Sequence, residues 1–416
     1  MKLLFGGDTY YPSVNGPSYF TQRLAAGFQR RGHEVHVICP SQSMRSTITQ
    51  HDCVVMHGIA SLPVPLYTAL RFSPLPFVYN RILSAVQRIK PDVIHIQNHF
   101  LIGRALTGIA QKLSIPIVAT NHFMPENIMV HLQFLSERHR RAVNNWLWRD
   151  LRRVYNRIET ITAPSPVAVE ILKDKGITGT VTAISCGIDL GLFNPRQKAG
   201  LIKYKYNLPS LPTYMYVGRL DKEKHIDELI KALPLVRRKV DAQLVIAGSG
   251  QLRAQLVELA KREHVYDNVV FTGFINDDDL PRVYAACDVF CNAGTAELQS
   301  IVILEAMATG KPVIAANAMA LPYLVHNGVN GYTFEPGDTQ TLAARLIELL
   351  TEQTKREAMG QRSLEIVAPH HIQNTLDAYE QLYEAAISRL KDRDDRENPV
   401  VLDQNNAASS FQPSCR

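Results

Sequence analysis

The stretch Glu297-Leu-Gln-Ser-Ile-Val-Ile-Leu-Glu-Ala-Met-Ala-Thr-Gly-Lys-Pro-Val-Ile314 decides the fold of the second half of the chain. It contains two glutamates eight residues apart, a Gly-x-Pro turn and an apolar strand. A helix that begins at Ser300 puts Glu305 in its second turn and leaves Glu297 on the preceding loop. The free N–H groups and positive dipole end of such a helix favour an anion. We therefore expect one anionic ligand with an acid near each of its ends.

A second charged stretch follows an earlier predicted strand. Tyr214-Met-Tyr-Val-Gly-Arg-Leu-Asp-Lys-Glu-Lys224 reads as a strand, a turn and a helix start that carries three cations. The guanidinium of Arg219 can fork onto phosphate oxygens, and Lys224 supplies a point charge. This stretch therefore offers cations that suit an anionic ligand.

Together, Gly-Arg-x4-Lys and Glu-x7-Glu resemble the retaining nucleotide-sugar glycosyltransferases of family four. The resemblance covers about residues 1–390 and includes three weaker motifs, which are Pro12-Ser-Val-Asn-Gly-Pro-Ser18, Thr120-Asn-His122 and Gly187-Ile-Asp189 with Phe193-Asn-Pro195. It implies the GT-B fold: an α/β protein of two Rossmann-like, doubly wound domains that face a cleft. In this fold a C-terminal helix crosses back to the first domain.

The pattern of the chain predicts the same organisation. Apolar strands alternate with helical segments, with six predicted strands in each half, as in βαβ units. We predict an acceptor-binding domain at 1–190, joined by the crossing helix at about 370–390, and a nucleotide-sugar-binding domain at 191–369. The charged and then Asn/Ser/Gln-rich segment 391–416 is predicted to be disordered. The proline-rich segment Ser61–Phe77 is predicted to be a surface loop near the cleft.

The resemblance also assigns site residues. The predicted catalytic residues are His122, Arg219, Lys224 and Glu297. The predicted donor-binding residues are Gly16, Arg219, Lys224, Glu297, Leu298, Gln299, Ser300 and Glu305.

The resemblance implies a separate role for each of these residues. Arg219 and Lys224 would hold the donor diphosphate, and Glu305 would bind the ribose hydroxyls. His122 would orient hydroxyls or help the acceptor proton leave. The donor would be a UDP-sugar or a GDP-sugar, without metal or other cofactor, and a donor phosphate oxygen would take the acceptor proton.

Two positions differ from the family pattern. The first loop has Asn15-Gly16-Pro17 where the family shows two adjacent glycines, and proline lacks an N–H. Leu298 follows Glu297 where many relatives have glycine and an aromatic residue. The first difference removes a backbone N–H that could contact phosphate, and the second predicts a donor pocket of different shape. The acidic run Asp277-Asp-Asp279 is interpreted as a helix N-cap rather than a metal site.

Positive charge is concentrated in the first half of the chain. Residues 1–190 contain 20 basic and 11 acidic residues, against 25 and 28 in the remainder. The segment 134–157 contains seven arginines and both tryptophans. It indicates either a helix that lies on an anionic membrane surface or a solvated basic face over a packed apolar stripe. No nucleic-acid-binding signature accompanies it, and the oligomeric state is not indicated.

The resemblance extends to enzymes that glycosylate diacylglycerol or phosphatidylinositol, so the predicted acceptor is a membrane glycerolipid or glycolipid, and the predicted sugar is glucose or mannose. A soluble sugar or glycan acceptor and a non-catalytic sugar-binding relative remain as alternatives. A dinucleotide oxidoreductase is disfavoured because Gly6-Gly7-Asp8 lacks the Gly-x-Gly-x-x-Gly fingerprint.

Sequence features also bear on the compartment. No window of 18 apolar residues occurs, and Met1–Asp8 breaks too early for a secretory signal. The six cysteines form no Cys-x2-Cys pair, which favours small buried thiols in a reducing cytosol. We expect a cytoplasmic protein with peripheral contact to the inner face of the cell membrane.

Overall fold

The computed structural model describes residues 1–13, 15–64, 67–73, 78–129, 132, 135–208 and 210–397. The strands are β1 Lys2–Gly6, β2 Glu34–Pro40, β3 Thr47–His51, β4 Val54–Ile59, β5 Leu62–Val64, β6 Tyr67–Phe72, β7 Val93–Ile96, β8 Ile117–Thr120, β9 Thr160–Ala163, β10 Thr180–Ala183, β11 Thr213–Val217, β12 Gln243–Ala247, β13 Val269–Gly273, β14 Val289–Asn292, β15 Val313–Ala316 and β16 Gly331–Phe334.

The helices alternate with these strands. They are α1 Gly16–Arg30, α2 Tyr79–Ile89, α3 Leu101–Lys112, α4 Pro125–Met129, α5 Glu137–Tyr155, α6 Pro166–Asp174, α7 Ile202–Lys205, α8 Ile226–Arg237, α9 Arg253–Arg262, α10 Leu280–Ala285, α11 Ile301–Ala308, α12 Leu321–Leu324, α13 Thr339–Thr351, α14 Gln353–Val367 and α15 Ile372–Glu397. Short 3₁₀ turns occur at Lys222–Lys224, Tyr266–Asn268 and Ala368–His370.

The first sheet has eight strands in the order β10-β9-β8-β7-β1-β2-β4-β3. All neighbours are parallel except β3 and β4, which pair antiparallel at one edge. The direction of strand addition reverses between β1 and β7. In open parallel sheets, ligands bind outside the carboxyl ends of the strands at such a reversal.

The second sheet has six parallel strands in the order β13-β12-β11-β14-β15-β16. This is the 3-2-1-4-5-6 order of dinucleotide-binding sheets, with its reversal between β11 and β14. Strands β11, β12, β14 and β15 are buried at every residue, because helices cover both faces of the sheet. Two doubly wound sheets confirm the predicted fold class. The predicted boundary at 190/191 falls between β10 and β11 and stays a prediction.

Three buried apolar clusters form the core. One fills the second domain around β11, β12, β14 and β15. The other two lie on opposite faces of the first sheet, one beneath α2, α3, α5 and α6, the other beneath α1 and α15. None of the described helices is long and apolar enough to cross a bilayer.

Helix α15 follows the second domain in sequence but packs on the first, as the resemblance predicts. Leu376, Tyr379 and Tyr383 are buried in the cluster that contains Leu3 and Phe5 of β1. The hydroxyl of Tyr383 lies 2.7 Å from Nδ1 of His95, and that of Tyr379 lies 3.0 Å from the hydroxyls of Thr120 and Thr162. The crossing helix therefore supports the carboxyl ends of β7, β8 and β9.

Two predictions about irregular segments are wrong where the structure describes them. The segment Ser61–Phe77 contains strands β5 and β6, which pair antiparallel as a separate two-stranded sheet. Both strands of such a sheet are edge strands, in which proline is tolerated. Helix α15 extends to Glu397, so residues 391–397 are helical rather than disordered. Residues 398–416 lie outside the described part of the chain.

The five described cysteines have free thiols. Cys39, Cys186, Cys287 and Cys291 are buried, as the sequence predicts, whereas Cys53 is exposed in the turn between β3 and β4.

The loops after β11 and β12 lie directly against each other at the carboxyl edge of the second sheet. Gly218 and Gly248 have φ angles of 147° and 146°. A Cβ atom on Gly248 would lie 1.8 Å from the carbonyl oxygen of Gly218, so only glycine permits this approach. The close contact fixes where the next residue, Arg219, leaves the strand.

We expect Leu376→Ala to destabilise the protein by about 2–5 kcal/mol, because it leaves a cavity between α15 and α1. Leu376 is 1% exposed, and its side chain lies against Gly27 of α1. The free energy of unfolding in urea measures the effect. The exposed Gln381 on the same helix provides the control, since Gln381→Ala should change stability by less than about 0.5 kcal/mol. Equal stabilities of the two variants would contradict the packing described here.

Candidate active site

A single cleft opens at the carboxyl edges of both sheets, next to the two reversals of strand order. All nine predicted site residues line it, namely Gly16, His122, Arg219, Lys224, Glu297, Leu298, Gln299, Ser300 and Glu305. The loop after β1 and the loop after β8 supply the first domain's side. The loops after β11 and β14 and the start of α11 supply the other side.

The first-domain side includes the N-terminus of α1. Asn15 caps this helix, since its side-chain oxygen accepts a hydrogen bond from the backbone N–H of Ser18 at 2.9 Å. Gly16 and Pro17 form the first turn, and Gly16 has no protein atom within 4 Å of the place where a Cβ would be. The space beside Gly16 therefore belongs to the cleft. Pro17 costs nothing here, because the first N–H groups of a helix have no partner within it.

The predicted phosphate cations are already paired with acids. Arg219 donates to Asp221 and, at 3.0 Å, to Oε1 of Glu223. The ammonium of Lys224 lies 2.6 Å from Oε1 of Glu297. These pairs hold both cations at the edge of the cleft. The structure also brings Glu297 next to Lys224 rather than leaving it alone on its loop.

Helix α11 begins as the sequence predicts, with Ser300 at its N-cap position and Glu305 in its second turn. Leu298 and Gln299 connect the two domains. The Leu298 carbonyl accepts from the hydroxyl of Ser165 at 2.6 Å, and its side chain joins the first domain's core. Oε1 of Gln299 accepts from the backbone N–H of Cys186 at 2.7 Å. This contact places the free N–H groups of α11 against the first domain, at the floor of the cleft.

Glu305 has partners that the sequence analysis missed. Its side chain is 4% exposed, and Oε1 lies 2.8 Å from Nη2 of Arg23, on α1 of the first domain. Oε2 accepts from the hydroxyl of Tyr284 at 2.9 Å. Burial raises the pKa of Glu305, and the charge of Arg23 opposes this rise. The available signal was that Tyr19 and Arg23 stand four residues apart on the helix that follows the first loop, and thus on one face.

His122 lies at the end of β8, in contact with the first domain's core. Its Nε2 is 3.3 Å from Oε1 of Gln97, and its ring lies 4.7 Å from that of Phe20. Burial lowers the pKa of His122 to about 3, so the ring is neutral near pH 7. A neutral imidazole with so low a pKa is a poor proton acceptor but a good hydrogen-bonding group. The geometry favours orienting a hydroxyl over removing its proton.

The acidic run before α10 supplies the N-cap residue of that helix, as predicted, but not a capping hydrogen bond. Asp279 occupies the N-cap position without a side-chain capping bond, because its carboxylate instead pairs with Lys205 and Tyr206. Asp277 lines the cleft. In the part of the chain that the structure describes, no three His, Cys, Asp or Glu side chains are grouped as a metal site requires.

The basic segment forms α5, which packs behind the first-domain side of the cleft. Trp148, Leu151 and Val154 are buried against the first sheet, so most of the apolar face of α5 belongs to the core. The other tryptophan, Trp146, is 56% exposed. The indole N–H of Trp148 donates to Glu126 of α4 at 3.1 Å, and the next residue, Asn127, lines the cleft. The outer face carries exposed arginines, namely Arg138, Arg141, Arg149, Arg152 and Arg153.

Two doubly wound α/β domains that face one cleft are the arrangement of the two-domain glycosyltransferases of the GT-B fold. Comparison with known families agrees: residues 14–192 match the Glycosyltransferase Family 4 model, and residues 202–365 match the model Glycosyl transferases group 1. The chain belongs to glycosyltransferase family four and is a hexosyltransferase with the GT-B fold.

Individual relatives are distant. The chain is 28% identical over 370 residues to a GDP-mannose-dependent alpha-mannosyltransferase of Mycolicibacterium smegmatis, covering 88% of this chain and 92% of the relative. It is 26% identical over 376 residues to the alpha-monoglucosyldiacylglycerol synthase of Streptococcus pneumoniae, covering 88% and 83%. Among solved structures, Anabaena HepE in complex with UDP and glucose superposes with a TM-score of 0.74 at 20% identity, covering 92% of this chain and 99% of that one.

We expect the ring of His122 to stay neutral from about pH 5 to 8, because burial holds its pKa at about 3. Nuclear magnetic resonance of histidine ring carbons measures this directly, with His122→Asn identifying the signal. The signal should not shift over this range. A midpoint near the ordinary histidine pKa of about 6.5 would contradict the buried position described here.

Proposed function

We propose that this enzyme transfers glucose or mannose, with retention, from a UDP-sugar or GDP-sugar to a hydroxyl of a membrane glycerolipid or glycolipid, and forms an α-glycosidic bond. The observation that supports it most is the convergence of two helix N-termini, the cations Arg219 and Lys224 and the acids Glu297 and Glu305 on one cleft. Cations and N–H groups suit a diphosphate, and acids suit hydroxyls.

Donor binding in this proposal exchanges the partners of the cations. The diphosphate takes the place that Glu297 holds at Lys224, and it also binds the guanidinium of Arg219. Glu297 then accepts hydrogen bonds from sugar hydroxyls, and Glu305 accepts from the ribose. No metal or other cofactor takes part. As the sugar–oxygen bond breaks, negative charge grows on the leaving phosphate, and the fixed cations stabilise that state more than the ground state.

In this proposal, retention results from the face on which the acceptor hydroxyl enters. Glu297 is bound by Lys224, and Glu305 by Arg23 and Tyr284. In the donor complex proposed above, Glu305 keeps these two partners and Glu297 accepts hydrogen bonds from sugar hydroxyls, so neither acid acts as the base or nucleophile. The acceptor hydroxyl enters on the face that the phosphate leaves, a phosphate oxygen takes its proton, and the neutral His122 orients it. Closure of the cleft excludes water and limits hydrolysis.

The lipid acceptor is supported by the position of α5. The helix turns five arginines outward, and its inner face holds α4 beside the cleft. Arg138, Arg141, Arg149 and Arg152 follow three-, eight- and three-residue steps, which place them on one face of a helix. A negatively charged bilayer bound there would contact the helix that packs on α4, and α4 contributes Asn127 to the lining of the cleft. One relative is named a synthase of monoglucosyldiacylglycerol, which agrees with such an acceptor.

One observation favours the second candidate, a soluble sugar or glycan acceptor. Most apolar residues of α5 are buried in the core, so the helix offers Trp146 and charge, not a wide apolar face, to a membrane. The donor, the acceptor and the stereochemistry can be determined together. Mass spectrometry and anomeric coupling constants of products from UDP-glucose and GDP-mannose, with diacylglycerol, phosphatidylinositol and soluble sugars as acceptors, would decide them. A product of β configuration would overturn the proposed retention.

We expect Arg219→Met and Lys224→Met each to lower kcat by about 100- to 1,000-fold, because each removes a charge that stabilises the leaving phosphate. Initial rates of sugar transfer measure the loss. Lys222→Met is the matched control, since Lys222 is exposed and lies two residues from Lys224. Full turnover by the double variant Arg219→Met/Lys224→Met would refute the assignment.

We expect the triple charge reversal R149E/R152E/R153E to reduce binding to anionic vesicles by at least about 100-fold, because each basic residue near such a surface contributes about 1 kcal/mol. Sedimentation with phosphatidylglycerol vesicles measures it. The control R238E/K239E/R262E makes the same change in net charge on exposed residues of the second domain. Equal binding of both variants, or no binding of the wild type, would remove the membrane surface from the proposal.

A further inference from the structure

We propose that Arg23 is a positioning residue of the donor site: from the first domain, it holds the Glu305 carboxylate of the second domain oriented and ionised for the ribose hydroxyls. This inference rests on the proposed function, in which Glu305 binds the ribose. The sequence motifs of the cleft do not include Arg23, which lies in the middle of α1.

The first argument is the number of hydrogen bonds that Glu305 can accept. A carboxylate has about four acceptor positions on its two oxygens. Arg23 uses one at Oε1, at 2.8 Å, and Tyr284 uses one at Oε2, at 2.9 Å. One position on each oxygen remains, and Glu305 lines the cleft. Two adjacent hydroxyls, such as those of a ribose, can donate to these two remaining acceptor positions.

The second argument is electrostatic. Glu305 is almost completely buried, which raises its pKa, and four ionisable groups face it. Tyr284 belongs to α10, Asp277 to the loop before α10, and Tyr19 and Arg23 to α1. Of these four, Arg23 carries the positive charge, and Asp277 raises the pKa of Glu305 further. Without Arg23 the carboxyl would take up a proton closer to neutral pH, and a neutral carboxyl is a weaker acceptor for hydroxyls.

The third argument is a hydrogen-bond donor of Arg23 that has no acceptor. Nη1 of Arg23 is buried and has no hydrogen-bond partner among the described residues. A buried guanidinium N–H without a partner is costly, and Arg23 lines the same cleft as Glu305. An oxygen of a bound nucleotide would accept a hydrogen bond from this N–H. Because Arg23 and Glu305 belong to different domains, the ribose site is complete only when the two domains are closed against each other.

The test measures donor binding as a function of pH by calorimetry. UDP-glucose and GDP-mannose serve as ligands, because their diphosphate diesters lack the second phosphate ionisation at about pH 6. Arg23→Met should weaken binding by at least about 10-fold at pH 7. The affinity falls at low pH as Glu305 protonates, and in Arg23→Met the midpoint of this fall should lie about one pH unit or more higher than in the wild type. Arg23→Lys should recover part of both effects.

Matched variants separate this role from a loss of structure. Arg30→Met changes an exposed arginine of the same helix and should bind donor like the wild type. Glu305→Gln should bind weakly with no acid-side loss, and adding Arg23→Met to Glu305→Gln should weaken binding by less than Arg23→Met does in the wild type. If Arg23→Met does not fold, as judged by thermal melting, Arg23→Gln takes its place.

Several outcomes would overturn the inference. An Arg23→Met profile identical to that of the wild type would show that Glu305 does not depend on Arg23. Tighter binding by Arg23→Met would show that Arg23 competes with the donor instead of preparing its site. An acid-side loss that persists in Glu305→Gln would assign the titration to another group. A wild-type protein that binds neither donor would refute the proposed function itself.

Discussion

Parallel strands place the loops that follow them at one edge of a sheet, and every residue of the cleft depends on this constraint. In both sheets the direction of strand addition reverses at the centre, between β1 and β7 and between β11 and β14. The loops after these strands therefore diverge and leave an opening. Arg219 follows β11, Glu297 follows β14, and the loop after β1 leads into α1. The position of the site therefore depends first on strand order and only then on individual side chains.

Within that opening, charges are neutralised in pairs. Lys224 binds Glu297, Arg219 binds Asp221 and Glu223, and Arg23 binds Glu305. Such pairs avoid the large cost of an isolated charge in a partly buried site. They also keep long side chains in place, so that less conformational entropy is lost when a ligand binds. A ligand with anionic and hydroxyl groups can replace Glu297 at Lys224 and bind both side chains, so that neither is left unpaired.

The sequence predicted the fold and the second domain's half of the cleft well. Glu305, Ser300 and Arg219 lie where the periodicity of α11 and the end of β11 place them, because these positions follow from local structure. Arg23 and Tyr284 were missed because their roles arise from contacts between elements far apart in sequence. The burial of Trp148 was also undetermined, since a basic amphipathic helix shows the same pattern on a core as on a membrane. Strands β5 and β6 were hidden by the proline content of their segment.

The crossing helix has a consequence for how this protein is made. One face of the first sheet is covered by α1 together with Leu376, Tyr379 and Tyr383 of α15. A nascent chain of 190 residues would therefore expose apolar surface on that face while the ribosome completes the second domain. Domains of large proteins generally fold in the order of their synthesis. Here the first domain reaches its native packing only after α15, residues Ile372–Glu397, has emerged, and until then its apolar face is exposed to chaperones and to aggregation.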